Sequence, residues 1–373
     1  MKKGIVLLLT LLALCLLCGC GVAGAASTPT SEPTVAPTPE PTPLPTSWTI
    51  TDESPEEILA LAELPTLREI DATASREYDA LVKLQALLPS CDIRWNYEFQ
   101  GTLYPSDTTT SLTVTDLTGL EDAIRYLPLV DYIDLIDAGA TVEDLDRFDA
   151  IRPGIFYYWE FCHDGWYIRT DIRVYSSLRD AIIHRFTSEE LYPMLKYCRH
   201  LRALDLGHNA IDDVSLVGEL KELEVLILAD NPIVDASPLG NLENLTYLEL
   251  FMCHEIEDFS FLNRLTKIRE INLCYDEGVT SLDFLGNMPE FCFGLFKYSG
   301  VSTEEFNAWQ ARLPEANMVL WDGNIESCDS GWRDTQRNYQ IRYAFACWPQ
   351  VVEYRSFDDV DYDFEHMNYP NYK

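Results

Sequence analysis

Through residues 178–290 the apolar positions return in a fixed phase. Cutting the chain before each leading apolar residue gives segments that begin at Leu178, Leu201, Leu223, Leu245 and Ile268, 22 or 23 residues apart. In the second segment the apolar set is Leu201, Leu204, Leu206, Ile211, Val214, Val217 and Leu220; in the third it is Leu223, Leu226, Leu228, Ile233, Ala236, Leu239 and Leu242. Alternation at the start of each segment predicts a short strand, and the later three-residue spacing predicts a helical turn. Burying one Leu or Ile contributes about 2 kcal/mol, but a lone segment has nothing to bury it against. The segments are therefore expected to stack.

Fainter copies precede the regular ones. Leu67, Ile70 and Ala72 lead into the helical stretch YDALVKLQALL and the return Cys91-Asp92-Ile93-Arg94-Trp95. Val130, Ile133 and Leu135 lead into Val142, Leu145, Phe148 and Ile151 at helical spacing. Between Ile155 and Tyr175 the pattern changes to aromatic and β-branched residues around His163-Asp164-Gly165, which predicts a hairpin covering an edge of the stack.

The repeated form L-x-x-L-x-L-x-x-N resembles the leucine-rich repeat. The resemblance implies an α/β solenoid: a horseshoe with short parallel strands on its concave face, helical or irregular convex turns, and flanking caps. It also implies that Asn209 and Asn231 satisfy backbone groups at the bend, with Cys253 as an accepted replacement and Asp276 as a departure. Asp235-Ala236-Ser237-Pro238-Leu239 and Asp258-Phe259-Ser260-Phe261-Leu262 resemble the short repeats of bacterial surface proteins such as internalins. VSTEEFNAWQARLPEANMVLW resembles the helix-then-strand ending of such arrays, and the glycine-tryptophan-arginine segment at Gly331 resembles the tail of Gram-positive leucine-rich repeat proteins. The resemblance supplies fold and location and no chemistry.

Side chains alternate along a strand, so residues between and after the inward leucines face out of the expected concavity. One row reads Ile182, Asp205, Ile227, Glu249 and Asn272, with Ala203, Val225, Tyr247 and Glu270 beside it. The next rows hold His184, Gly207, Ala229, Phe251 and Cys274, then Arg185, His208, Asp230, Met252 and Tyr275. The expected binding surface is an apolar patch of Ile227, Tyr247, Phe251, Met252 and Tyr275 rimmed by Asp230, Glu249 and Asn272, suited to an extracellular protein or peptide. The alternative is that the chain's own tail covers these residues.

Composition and the first residues add a location. Lys2 and Lys3 precede the apolar run Ile5 to Leu17, which has the shape of a secretory signal. Leu17-Cys18-Gly19-Cys20 resembles a lipobox, which implies a signal peptide over 1–19, lipidation of Cys20 and anchoring to the outer face of the cell membrane; cleavage near Ala25, giving a secreted protein, is the alternative. Residues 20–47 then form a lipidated and proline/threonine-rich linker, of which residues 28–47 are able to extend up to roughly 60 Å in polyproline geometry. The remaining divisions are degenerate repeats and hairpin over 48–177, regular repeats over 178–290, a cap over 291–348 and an acidic tail over 349–373.

A formal net charge of −34 disfavours nucleic acid and favours a basic partner. Beyond the leader remain Cys91, Cys162, Cys198, Cys253, Cys274, Cys292, Cys328 and Cys347, without a C-x-x-C pair; several fall on core positions and are expected as free thiols. Asp359, Asp361 and Asp363 lack the glycine and glutamate of a calcium loop, so no metal is expected. No catalytic motif occurs and no cofactor is expected, which makes the chain a monomeric binder rather than an enzyme. A self-assembling envelope protein and, less favoured, a surface hydrolase using His163, Asp164 or His184 are the alternatives.

Overall fold

The computed structural model describes residues 44–163, 166–177, 185–321, 323, 331–335, 337–338, 341–342 and 345. The signal sequence, Cys20, residues 178–184 with Ile182 and His184, Cys328, Cys347 and the acidic tail lie outside them. So do Asp164 and Gly165. The chain divides into two compact units, Met1–Gly139 with Asp144–Ile155, and Ala140–Glu143 with Phe156–Lys373.

The first unit contains the degenerate copies. Strand β1 (Ser47–Thr49), helix α1 (Pro55–Ala60), β2 (Glu69–Asp71), helix α2 (Tyr78–Leu87) and β3 (Asp92–Arg94) follow in order, and the three strands pair in parallel with Ile70 opposite Trp48 and Ile93. Ser54 and Glu57 start α1 by a reciprocal capping box, at 3.4 and 2.9 Å. Ile58, Leu67, Ile70, Leu81, Leu84 and Ile93 fill the core between strands and helices. A hairpin of β4 (Asn96–Phe99) and β5 (Thr102–Pro105) follows, turning on Gln100 and Gly101, both at positive φ. Then come β6 (Ser111–Thr113), α3 (Leu120–Tyr126), β7 (Tyr132–Asp134) and α4 (Val142–Ile151), with Ile133, Leu135, Leu145 and Phe148 buried.

The second unit begins with β8 (Phe156–Tyr158) and the antiparallel pair β9 (Glu160–His163) and β10 (Trp166–Arg169). The expected hairpin thus belongs with the regular repeats rather than with the degenerate ones. Next come β11 (Val174–Ser176), α5 (Ser188–Leu195), β12 (Ala203–Asp205), β13 (Val225–Ile227), β14 (Tyr247–Glu249), β15 (Glu270–Asn272), β16 (Phe293–Leu295), α6 (Thr303–Arg312) and β17 (Asn317–Val319). Strands β11 to β17 form a seven-stranded parallel sheet in chain order, an α/β solenoid. Val174 stands opposite Ala203, which places the first strand at Val174–Ser176, upstream of the Leu178 start that the apolar phase suggested.

The register inside the array follows the apolar phase. Leu204, Leu226, Leu248 and Ile271 at the strand centres join Leu201, Leu206, Val217, Leu223, Leu228 and Leu239 in one core. Short 3-10 turns, Val217–Glu219, Ser237–Asn241, Ser260–Arg264 and Asp283–Asn287, close the other side of each repeat. Asp213, Asp235 and Asp258 each accept the backbone N–H two residues on, at 2.8, 2.9 and 2.8 Å, and so set the bend before three of these turns. In the sixth repeat Gly294 takes the leucine position because the Phe291 and Phe296 rings fill that space; a Cβ there would stand 2.7 Å from both.

The asparagine position works as a ladder. Asn209 donates to the Leu206 carbonyl at 2.9 Å and accepts the Phe186 N–H at 3.0 Å. Asn231 donates to the Leu206 and Leu228 carbonyls at 2.8 and 2.9 Å and accepts the Ile211 N–H at 2.9 Å. Cys253 reaches the Leu228 carbonyl with its thiol at 3.3 Å. Asp276 accepts the Cys253 N–H at 2.9 Å, but its second oxygen is buried without a partner, because a carboxylate cannot donate to the carbonyls there. Cys91, Cys198, Cys253, Cys274 and Cys292 are free thiols.

Candidate functional site: the strand face and its rim

On the side of the sheet opposite the leucine core, the flanking residues of β11, β12, β14, β15 and β16 are buried. Val174, Ala203, Val225, Tyr247, Phe293 and Leu295 form a second apolar cluster with Trp332, Ile341 and Phe345 from the C-terminal segment. Trp332 sits in a 3-10 turn, Trp332–Asp334, and is 0% exposed. Its ring lies 5.1 Å from that of Tyr247 and 5.2 Å from that of Phe293, the second contact edge to face.

Hydrogen bonds fix the seat. The Trp332 indole N–H donates to Glu249 Oε1 at 3.1 Å, and the Tyr247 hydroxyl donates to the same oxygen. Asn338 Nδ2 donates to the Tyr247 hydroxyl at 3.0 Å. Because that hydroxyl spends its proton on Glu249, it presents only lone pairs to Asn338, so the amide nitrogen must face it, and Asn338 Oδ1 has no partner among the described residues. Arg337 reaches Thr246 Oγ1 at 3.3 Å, and Thr335 Oγ1 reaches Glu270 Oε2 at 3.5 Å.

This cover overturns the expectation of an open patch at three residues. Tyr247 and Asn272 are 0% exposed and Glu249 is 9% exposed, with Tyr247 and Glu249 in contact with the docked segment. The physical reason is that two aromatic faces and a row of strand-face aliphatics offer a large apolar area, and the Trp332, Ile341 and Phe345 side chains of the same chain bury it at high effective concentration. Burial also acts on the acids there. It raises the carboxyl of Asp205 to about 6 and raises those of Glu249 and Glu270, with hydrogen bonds opposing the shift in each case.

Ile227, Asp230, Phe251, Met252 and Tyr275 remain partly exposed. They lead to a feature that the sequence rows only half disclosed. His208, Asp230, Met252, Tyr275 and Tyr298 occupy equivalent places just past β12 to β16, and all have positive φ, 60, 54, 63, 65 and 56°. Their backbone N–H groups tie successive repeats together, as in His208 N to Ala229 O at 2.7 Å and Met252 N to Cys274 O at 2.9 Å. Non-glycine residues carry a cost of about 1–2 kcal/mol in this conformation, yet no place in the column is glycine.

The column ends in aromatics. Tyr275 and Tyr298 stack with centroids 4.6 Å apart, close to the strand spacing, and Trp321, two residues past β17 and so in the row of Phe251, meets Tyr298 edge-on at 5.4 Å. Tyr298 is 40% exposed and Trp321 59%. At the other end His208 Nδ1 lies 3.0 Å from Asp230 Oδ2, and the His208 ring meets Phe251 at 6.2 Å. Tyr298 and Trp321 were missed because the rows were read only to the last regular repeat; extending the row of Tyr275 by one place reaches Tyr298, and extending the row of Phe251 and Cys274 past β17 reaches Trp321.

Two family models match the chain, leucine-rich repeats (two copies) over residues 221–264 and a leucine-rich repeat over residues 197–218. No curated protein matches. Among solved structures, an internalin from Listeria monocytogenes shares 18% identity, covering 76% of this chain and 68% of its own, with a TM-score of 0.35. Internalin C2 from the same species shares 19%, covering 43% and 78%, with a TM-score of 0.32. A leucine-rich repeat protein of Leptospira interrogans shares 12%, covering 70% and 74%, with a TM-score of 0.32. The matched residues are leucine-rich repeats, and the strand register carries the same period through β17.

Proposed function

We propose that this leucine-rich repeat protein is a cell-surface lipoprotein that binds an extracellular protein or peptide through the rim past its strands. The contact residues are Asp230, Phe251, Met252 and Tyr275 together with Tyr298 and Trp321. The observation that carries the reading is the aromatic end of the rim: Tyr275 and Tyr298 held at positive φ and stacked, Trp321 edge-on to Tyr298, and both Tyr298 and Trp321 exposed. The acidic chain favours a partner of basic character. Anchoring through Cys20 rests on the sequence from Leu17 to Cys20, and mass spectrometry of the mature N-terminus tests it: a diacylated cysteine supports the anchor, and an unmodified end near Ala26 contradicts it.

Site-specific photo-crosslinking tests the rim. The full chain, displayed on cells, carries the crosslinker in place of Tyr298 or, as control, of Glu243 on the far side of the repeat. An extracellular protein captured from position 298 and not from 243 supports the rim. Equal capture from both positions contradicts it.

A further inference from the structure

The docked C-terminal segment leaves a cavity of about 190 Å³ over the ends of β12 to β14. Its floor carries Asp205 and Glu249, and the segment contributes Arg333 and Arg342. Among the described residues Asp205 accepts from neutral donors, the Ser176 hydroxyl at 2.9 Å and the Gly207 N–H at 3.0 Å. Among them Glu249 likewise accepts from Tyr247 and Trp332. Among the described residues neither carboxylate has a cation in ion-pair contact, although both are buried and burial raises both carboxyls. Arg333 is exposed and acts on Glu249 only through its charge. The lining sets two carboxylates against two guanidiniums, with the His208 imidazole held by Asp230 at 3.0 Å, while Ile227, Ala229, Ile341 and Phe345 supply an apolar wall.

A buried carboxylate with neutral partners gains most from an ammonium group, and a guanidinium from a carboxylate. A lone cation would meet the two arginines and a lone anion the two acids, so the balance selects a ligand that bears both charges and is neutral overall. The volume exceeds the roughly 150 Å³ that holds a benzene-sized molecule and falls short of a drug-sized site. We propose that this cavity binds a free α-amino acid with an aliphatic side chain, its ammonium on Asp205 and Glu249 and its carboxylate on Arg333. The site goes beyond the rim and stands independently of what the rim binds.

Calorimetric titration of the full chain with three probes tests it: L-valine, isobutylamine, which lacks the carboxylate, and isovalerate, which lacks the ammonium. The expected result is saturable one-site binding of L-valine, with each half-ligand weaker by roughly tenfold or more. Arg333→Gln, at an exposed position, and Asp205→Asn should each weaken L-valine to a similar degree; where Asp205→Asn fails to fold, Arg333→Gln decides. L-valine should also raise the melting temperature of the unaltered chain. No saturable binding of L-valine at millimolar concentration, equal binding of either half-ligand, or an unchanged affinity in Arg333→Gln would overturn the proposal.

Discussion

Asp276 is where a single atom separates this chain from a regular array. Its unpartnered oxygen occupies the place from which Asn231 donates to two carbonyls, and burial raises its carboxyl to about 8. A raised folded-state value means that the folded chain holds a proton the unfolded chain has lost, so the stabilisation is complete below the ordinary carboxylate range near 4 and disappears as pH rises through 8. Asp205 acts in the same direction up to about 6. Asp235 and Asp258, lowered by hydrogen bonds from Ser237 and Ser260, act oppositely and lose their contribution as pH falls below the ordinary aspartate value of 3.8. Thermal melts should therefore show highest stability near pH 4–5 and a fall towards pH 8. Asp276→Asn should raise stability at pH 8 by about 1–3 kcal/mol and change little at pH 4.5. A melting temperature unaltered by that substitution at pH 8 would contradict the burial of a lone carboxylate. Leu226→Ala, at 0% exposure between stacked repeats, should cost about 2–5 kcal/mol in denaturant titration, whereas Glu243→Ala at an exposed position should be near neutral.

At the scale of elements, the strands were legible wherever leucine alternation recurred, because the core selects for it directly: Leu204, Leu226 and Leu248 were placed correctly from spacing alone. The first strand was not, since Val174-Tyr175-Ser176 carries no leucine and pairs across a longer connection. The docked segment was foreseeable only as an alternative. Trp332 announces itself as a large apolar side chain, but which face it covers depends on the ring of Tyr247 and the carboxylate of Glu249, remote in sequence and brought together only by stacking. Trp332→Ala should remove that anchor, loosening the segment by about 3–5 kcal/mol while the leucine core stays folded. Hydrogen exchange reads this directly: amides of residues 331–338 should lose protection while those of Leu226 and Leu248 keep theirs. Loss of protection throughout the array would show that the segment is part of the cooperative core.

For the whole molecule, one consequence joins the acidic charge, the covered strand face and the exposed rim. Association with a basic partner should slow as salt rises, since screening shortens the reach of the −34 charge. Recognition at the rim requires that the face beneath Trp332 stay closed while the aromatic column stays open. Hydroxyl-radical footprinting of the full chain, read by mass spectrometry at single residues, compares these directly. Tyr298 and Trp321 should oxidise readily, and Tyr247 and Trp332 should be protected by roughly an order of magnitude, as expected for side chains shut away from water. Tyr247 and Trp332 oxidising as fast as Tyr298 and Trp321 would mean that the strand face is open in solution and that the rim is not the surface a partner meets first.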